Sequence, residues 1–423
     1  MIDNREIVQL SALEERLFKR TKFIIGTILI VLVIRVLYFS GFIGLTSETV
    51  LVDFDLFHLV SRTVWDGNLE RVYHFPYLLE LMETYRGANS LMPWAYPPPF
   101  DLFLAPLGFL SLGVAYTIFV GVTFLLWLCV VYRLAGPLAP LPILMTFPAI
   151  TMEISCGQNG FLTGLLLGAA GLFARSNRAV AGLPLGMMIV KPHLAVTLGL
   201  LAVMLRMWKV ISVAAVVALV LCALSTVFFG PEIWEAYRNG VKESAALLKL
   251  GAFPLFRMVS VYSAVRSFAL PAELAFAAQA AASLFVILVI IRVTLNAQPE
   301  RAIALSVLAA PLITPYAYDY DLPIATIGLA MIAKDFVNFS TLSERKFAYL
   351  FGLISSGLGG VLYFVSTQMG PTTALDVGGP PTLAGFFYLG LFIIVWRVVM
   401  RGEAATETSG HVVKAQVNCQ STA

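Results

Sequence analysis

Two acidic side chains, Asp53 and Asp55, stand two positions apart just after the first long apolar stretch of the chain. A carboxylate at a membrane exit can take a proton from a substrate hydroxyl as a general base. It can equally cap a helix, because the free N–H groups of a helix N-terminus favour negative charge. Since His58 and Arg62 follow on the same segment, capping alone fits the pair less well. We therefore predict that Asp53 and Asp55 are catalytic and that His58 and Arg62 contact the substrate, and we leave capping as the alternative.

Three basic side chains lie in apolar surroundings. Lys191 and His193 flank a proline that divides the apolar stretch 179–206, and Arg257 follows the apolar residues 253–256. A lysine at the centre of a membrane helix costs about 2.5–3.5 kcal/mol, so such residues usually have a functional partner. The alternatives are a lysine that snorkels at an ordinary helix end and an arginine that faces the surface. Because an arginine fork suits phosphate oxygens, we predict that these three residues bind a phosphate.

Two further polar segments could recognise a sugar. Trp94 and Tyr96 precede three prolines, and their rings could stack on a sugar, although aromatic side chains are also typical of membrane interfaces. Gln158 and Asn159 lie between two glycines. Amide groups suit sugar hydroxyls or a phosphate, but Asn-Gly is equally typical of a tight turn. We predict ligand contacts for these four residues and leave the turn as the alternative.

The segment 316–321 holds three tyrosines and two aspartates between apolar stretches. We predict that Tyr318, Asp319 and Asp321 contact the sugar or the acceptor. The alternative is structural, because the two aspartates could form ion pairs with Lys191 or Arg257.

The composition defines the class of protein. Of the 423 residues, 59% are hydrophobic and 13% are charged, against about 25% charged in typical soluble proteins. This deficit excludes a soluble enzyme and a nucleic-acid-binding protein. The four cysteines form no CxxC pair, so the sequence predicts neither a disulfide framework nor a zinc site. The chain is predicted to be an all-α polytopic membrane protein.

Apolar stretches predict about twelve transmembrane helices. The first of them, 23–45, has the roughly 20 residues that cross a ~30 Å hydrocarbon layer. Residues 1–22 carry several basic side chains and are predicted to be a cytoplasmic N-terminus before a retained first helix. Residues 99–111 are too short to cross comfortably, and we predict a re-entrant segment. The apolar stretches are 23–45, 113–134, 138–153, 160–174, 179–190, 193–206, 208–229, 271–293, 300–314, 322–334, 346–366 and 382–400.

Basic residues at the short junctions favour one topology. With residues 99–111 re-entrant, the positive-inside rule places these junctions and both termini in the cytoplasm. The transmembrane domain, 23–402, then has a first outer loop (46–98) and a second outer segment (230–258), both with interfacial helices. Residues 403–423 are predicted to be a disordered cytoplasmic tail. All the polar segments described above converge on the outer face of the cell membrane.

A set of short motifs occurs in a fixed order over about residues 20–335. They are Asp53-Phe54, Phe57, Gly67, Tyr73, Tyr96-Pro97-Pro98, Gly157-Gln158-Asn159, Lys191-Pro192 and Tyr320-Asp321-Leu322. This succession resembles the polyprenol-phosphate-mannose-dependent α-mannosyltransferases of the GT-C class, typified by phosphatidylinositol-mannoside mannosyltransferases of mycobacteria. The C-terminal third of the chain has no part in the resemblance.

The resemblance implies a GT-C-like helix bundle and names Asp53 as the catalytic base. It also implies a polyprenyl-phosphate-linked donor, with mannose as the sugar. The resemblance does not identify the acceptor, which we predict to be a glycolipid or a glycan. Direct displacement would invert the anomeric centre. No cofactor is expected to be required, because lysine and arginine alone can neutralise a monophosphate leaving group, although the acidic pair could accommodate a divalent metal. The alternatives are a transporter or flippase of a lipid-linked sugar and an inactive membrane scaffold.

Overall fold

A computed structural model describes residues 23–42, 51–86, 91–176, 178–368 and 380–421. The predicted cytoplasmic N-terminus and residues 46–50 and 87–90 of the predicted outer loop lie outside these ranges. Within them the chain is helical, and the only β-type pairing is an isolated antiparallel bridge between Met258 and Tyr318. The all-α prediction is confirmed for this part of the chain.

The described helices follow one another with short connections. In chain order they are α1 (Phe23–Phe39), α2 (Asp53–Thr63), α3 (Leu69–Val72), α4 (Phe75–Arg86), α5 (Pro98–Leu104), α6 (Leu112–Leu138), α7 (Pro140–Cys156), α8 (Gly160–Ala174), α9 (Ala179–Val190), α10 (Pro192–Met204), α11 (Trp208–Phe229), α12 (Ile233–Leu250), α13 (Val261–Arg266), α14 (Ala272–Asn296), α15 (Pro299–Ala309), α16 (Pro323–Met331), α17 (Ala333–Phe339), α18 (Leu342–Gln368) and α19 (Ala384–Ser421).

Four of the described helices are long and apolar enough to cross a membrane: α6, α11, α14 and the part of α19 up to Ala405. The segment Asp319–Met331 together with α17 makes a fifth, bent by 60°. Five more apolar helices, α1 and α7 to α10, have 10–17 residues and rise only about 15–26 Å, less than the hydrocarbon thickness. A multi-pass membrane protein is supported, whereas the count of about twelve spans is not confirmed.

Proline and glycine explain why several apolar helices are short. Pro192 separates α9 from α10, because proline disfavours the helical conformation of the residue before it. Gly157 ends α7 in the left-handed region, with φ +68°. Residues 98–109 form α5 and a 3-10 turn about 18 Å long, too short to cross. Their re-entrant path stays a prediction.

Helix α2 differs from its predicted position. The spacing of its apolar residues predicts an amphipathic helix on the membrane surface, but most of α2 is buried. The reason is a group of aromatic rings around it. Phe54 packs against Phe39 and Tyr116, and Phe57 packs against Phe100 and Trp94. Helix α2, part of the predicted first outer loop, therefore lies in the core of the protein.

The segment 230–258 contains α12, and the position of this helix at the membrane interface stays a prediction. Ile233, Gly240 and Leu248 are buried, whereas Val241 is exposed. Gly240 brings α12 against the first loop, since a Cβ atom there would lie 2.9 Å from the carbonyl oxygen of Trp94.

Basic junctions gather at one end of the bundle. Arg301 forms ion pairs with Asp335 at 2.6 Å and with Glu403 at 2.7 Å, and Arg401 pairs with Glu344 at 2.8 Å. These are junctions for which the positive-inside rule predicts a common side. The side of the membrane on which they lie stays a prediction.

Helix α19 includes most of the segment that the sequence predicts to be a disordered tail. Helix α19 continues to Ser421, whereas the sequence predicts disorder from residue 403. The segment 384–421 contains no proline, and glycines alone weaken a helix by about 1 kcal/mol each. The composition that suggested disorder is thus compatible with a continuous helix.

The buried Arg301 should contribute strongly to stability. Arg301→Ala leaves Asp335 and Glu403 without their cation, and breaking a buried pair costs about 3 kcal/mol or more. We expect a clear drop in the thermal unfolding midpoint of the purified protein in detergent. Arg238→Ala is the matched control, because the Arg238–Glu235 pair is exposed and such pairs contribute about 1 kcal/mol or less. Equal shifts for the two variants would contradict this assignment.

Candidate active site

The turn between α7 and α8 positions the candidate site. At Gly157, with its positive φ, a Cβ atom would lie 2.5 Å from the Cβ of Phe54 at the start of α2. At Gly160 a Cβ atom would lie 1.9 Å from the carbonyl oxygen of Tyr320. Side chains larger than hydrogen do not fit at either position without a shift of the neighbours. The turn is therefore wedged between α2 and the segment 319–321, and it carries Gln158 and Asn159 between them.

Asp53 is the first residue of α2 and is held by this turn. Gln158 donates from Nε2 to Asp53 Oδ1 at 2.9 Å, and its Oε1 accepts from the hydroxyl of Tyr96 at 2.9 Å and from the N–H of Asn159 at 3.1 Å. Asp53 is half-buried, and its Oδ2 makes no hydrogen bond to a described residue. One carboxylate oxygen is fixed, and the other can accept a proton.

Asp55 has a different environment. Its side chain is fully buried, and its Oδ2 accepts from the N–H of Val52 at 3.1 Å, which caps the start of α2. The capping alternative fits Asp55, and the geometry offers no support for the predicted catalytic role. The acidic pair thus separates into an accessible carboxylate and a structural one.

Lys191 lies between α9 and α10, and its side chain points into the site. Its Nζ contacts Asp321 Oδ1 at 2.5 Å and donates to Asn159 Oδ1 at 3.3 Å. Lys191 and Asp321 are both buried. The lysine therefore does not snorkel to the surface, and the turn, α9 and the segment 319–321 meet at its ammonium group.

Arg257 forms the second ion pair. Its Nη2 lies 3.0 Å from Asp319 Oδ1, and its Nε donates to Oδ2 at 3.3 Å. The bridge between residues 258 and 318 and the hydrogen bond from Val259 N–H to the carbonyl of Ala317, at 2.8 Å, hold the two segments side by side. Burial lowers the pKa of Arg257, but the carboxylate of Asp319 outweighs it and the pKa lies well above its ordinary value.

Tyr320 lies between the two ion pairs. Its ring centre is 5.3 Å from Lys191 Nζ and 5.6 Å from the guanidinium carbon of Arg257, and Tyr318 stacks on it at 5.0 Å. A cation over an aromatic face is stabilised by the ring electrons. The ion-pair alternative for Asp319 and Asp321 is therefore what the structure contains, and a phosphate would share the two cations with these aspartates.

The C-terminal third also lines the site. A Cβ atom at Gly359 of α18 would lie 3.0 Å from both Arg257 Cα and Asp319 Oδ2. This close approach was not detectable in the sequence, because a glycine within an apolar helix carries no chemical signal.

Some predicted residues lie elsewhere. His58 is buried, and its ring nitrogens contact the hydroxyl of Tyr85 at 3.1 Å and the carbonyl of Leu110 at 2.9 Å. Arg62 is exposed. These contacts hold the first loop together, and they do not bring His58 or Arg62 to the turn. His193 is half-buried close to Lys191, and its Nε2 has no hydrogen-bond partner among the described residues.

Trp94 belongs to the core instead of presenting a stacking surface. Its side chain is 1% exposed, its ring packs against Phe57 and Tyr96, and its Nε1 donates to Asp101 Oδ1 at 3.0 Å. The hydroxyl of Tyr73 contacts Asp101 Oδ2 at 2.5 Å. Burial raises the pKa of Asp101 to about 8 against the opposing effect of these hydrogen bonds. The cluster fixes the segment that carries the Tyr96 hydroxyl.

Sequence reasoning missed Glu153. It is fully buried near the end of α7, and its Oε1 accepts from the N–H of Gly160 at 2.8 Å, which caps α8. Its Oε2 has no partner among the described residues. The available signal was an acidic residue at the end of an apolar stretch. Three residues on, Cys156 accepts a hydrogen bond from Arg257 Nη2 at 3.1 Å.

The residues described here contain no group of three His, Cys, Asp or Glu side chains that could hold a metal ion. That the protein requires no metal stays a prediction from the sequence.

Adding one methyl group at Gly160 tests how closely the turn packs against the Tyr320 carbonyl. Gly160→Ala would drive a Cβ atom into the Tyr320 carbonyl, and overpacking typically costs about 1–3 kcal/mol. We expect a lower unfolding midpoint and a loss of activity, because the turn and the segment 319–321 separate. Gly199→Ala is the matched control, since nothing lies within 4 Å of a Cβ atom there. A Gly160→Ala protein as stable as the control would show that the wedge is not tight.

Comparisons with known proteins give the family. The sequence profile of glycosyltransferase family 87 matches residues 94–315, just over half of the chain. The match covers Tyr96, Gln158, Lys191 and Arg257, begins after Asp53 and ends before the segment 319–321. Neither a curated protein nor a solved structure matches the chain. The chain belongs to glycosyltransferase family 87 and is a membrane glycosyltransferase.

Proposed function

We propose that this glycosyltransferase moves a hexose from a polyprenyl-phosphate donor to a hydroxyl group of a glycolipid or glycan on the outer face of the cell membrane. Mannose is the sugar that the sequence resemblance implies. The observation that carries the proposal is the Asp53 carboxylate, fixed by Gln158 at one oxygen and without a hydrogen-bond partner at the other among the described residues.

Asp53 is the general base of the proposed reaction. A base needs a fixed position and an oxygen free to receive the proton. The hydrogen bonds from Tyr96 to Gln158 and from Gln158 to Asp53 supply the fixed position. The fully buried Asp55, which caps α2, is unsuited to this role.

The proposed step is a direct displacement. The acceptor oxygen attacks the anomeric carbon as its proton passes to Asp53, and the bond between the anomeric carbon and the phosphate oxygen breaks. The electron pair of that bond leaves with the polyprenyl monophosphate. Since attack and departure occur on opposite faces, a β-linked donor gives an α-linked product.

Lys191 and Arg257 stabilise the leaving phosphate in this proposal. Cations beside a leaving group are most effective when they are preorganised for the charge that develops. The ion pairs with Asp321 and Asp319 hold both cations in place, and Arg257 Nη1 makes no hydrogen bond to a described residue. His193 lies close to Lys191 and completes the proposed phosphate site. Asn159 offers a buried Nδ2 without a partner among the described residues.

Replacement of Asp53 tests the proposal. Asp53→Asn keeps the shape of the side chain but cannot take the proton, and loss of a general base typically lowers the rate about 10²–10⁴-fold. The measurement is turnover of polyprenyl-phosphate mannose by the purified protein in nanodiscs, with the unfolding midpoint recorded in parallel. Formation of a new glycoside by the wild type also distinguishes an enzyme from a transporter of lipid-linked sugars.

Asp55→Asn is the matched control for this experiment. We expect it to lower stability by about 0.5–2 kcal/mol, the usual cost of a lost cap, and to affect the rate less than Asp53→Asn does. An Asp53→Asn enzyme that keeps most of its turnover would overturn the assignment of the base.

A double variant separates the structural role of Lys191 from its role in donor binding. Lys191→Met leaves Asp321 buried and unpaired, at a cost of about 3–5 kcal/mol. Adding Asp321→Asn removes that charge but keeps an acceptor for the Tyr318 N–H, so the double variant should regain most of the stability. Its KM for the donor should stay raised, because the cation is absent. A wild-type KM in the double variant would place the phosphate elsewhere.

A further inference from the structure

We propose that Arg35 of α1 is a further phosphate-binding residue, which contacts the phosphate of the polyprenyl-phosphate donor beside Arg257. The inference rests on the proposed function and extends its phosphate site to α1, which the sequence predicts to be the first membrane helix.

Arg35 and Arg257 reach the same end of α7. Arg35 donates from Nη2 to the carbonyl of Ser155, and Arg257 donates from Nη2 to the sulfur of the next residue, Cys156, at 3.1 Å. Two guanidinium groups from distant parts of the chain are thus bonded to consecutive residues, directly before the turn that holds Asp53.

The same face of α1 packs against the helix that carries the base. Phe39 lies one turn after Arg35, and the guanidinium carbon of Arg35 is 5.3 Å from its ring centre. The ring of Phe39 is in turn 5.6 Å from that of Phe54, the residue directly after Asp53. One layer of aromatic side chains separates Arg35 from the start of α2.

The net charge of the two ion pairs indicates that phosphate binding needs a further cation. Lys191 and Arg257 are each paired with an aspartate, so together the two pairs add no net positive charge for a phosphate. Arg35 has no carboxylate partner among the described residues, and its buried Nε has no hydrogen-bond partner there. The two ion pairs are neutral overall, and Arg35 therefore supplies the positive charge that a phosphate needs.

A structural role alone explains Arg35 less completely. A basic side chain stabilises the last carbonyls of a helix, and the contact with Ser155 is of this kind. That contact uses one of the five N–H donors of the guanidinium. An arginine within a membrane helix is costly, and such residues are typically found on ligand pathways or in ion pairs.

Binding of farnesyl phosphate to the full-length protein in phosphatidylcholine nanodiscs tests the proposal. We expect Arg35→Gln to weaken this binding at least tenfold, about 1.4 kcal/mol, and to raise the KM for the donor with a smaller change in kcat. Binding of farnesol, which has no phosphate, should not change. Arg35→Lys should recover part of the affinity, because it restores the charge without the planar fork.

Arg133→Gln is the matched control, because Arg133 is exposed at the far end of α6 and should leave farnesyl phosphate binding as in the wild type. Wild-type affinity for farnesyl phosphate in Arg35→Gln, with a lowered unfolding midpoint, would overturn the proposal and leave Arg35 as a tether. If the wild type turns over the donor in that case, the proposed function stands. A wild type that neither binds farnesyl phosphate nor turns over the donor would overturn both.

Two competitors identify the source of the phosphate. Inorganic phosphate should compete weakly with farnesyl phosphate in the wild type, since it lacks the prenyl chain. Replacing part of the nanodisc lipid by phosphatidylglycerol should not displace farnesyl phosphate. Displacement by phosphatidylglycerol in the wild type but not in Arg35→Gln would overturn the proposal, because Arg35 would then bind a bilayer lipid.

Discussion

The close approach of the turn 157–160 to the backbone of Tyr320 is the constraint on which the candidate site depends. Only at glycine can the start of α8 come so near to the Tyr320 carbonyl oxygen. The turn then carries Gln158 to Asp53 on one side and Asn159 to Lys191 on the other. An aspartate near the start of the chain and the segment 319–321 near its last quarter therefore belong to one site.

Much of this site could be predicted from residue types. The predicted roles that the structure does not support, those of Asp55 and Trp94, have a common physical cause. Charged residues in apolar sequence stood out, and their pairing was one of the alternatives derived from charge alone. The roles of Asp55 and Trp94 depend on tertiary burial, which a local pattern does not contain. The sequence does not show whether the ring of an aromatic residue contacts a ligand or other rings. The ring of Trp94 contacts other rings.

The helices themselves were predictable, but not their relation to a membrane. Apolar stretches in the sequence correspond to helices along the described chain, because apolar composition and breaking residues are both local. The number of crossings depends on how short helices such as α9 and α10 stack end to end, and their sequences do not specify this. The contribution of α18 could not be predicted from the sequence either. Gly359 lets α18 approach Arg257 and Asp319 closely because it has no side chain.

The ion pair between Lys191 and Asp321 has a consequence for the order of synthesis. Its partners are 130 residues apart, and domains form from the N-terminus during translation. Lys191 is therefore made before the aspartate that neutralises it. Until Asp321 has been made, the nascent N-terminal half holds a lysine among the apolar helices α9 and α10 without its carboxylate partner.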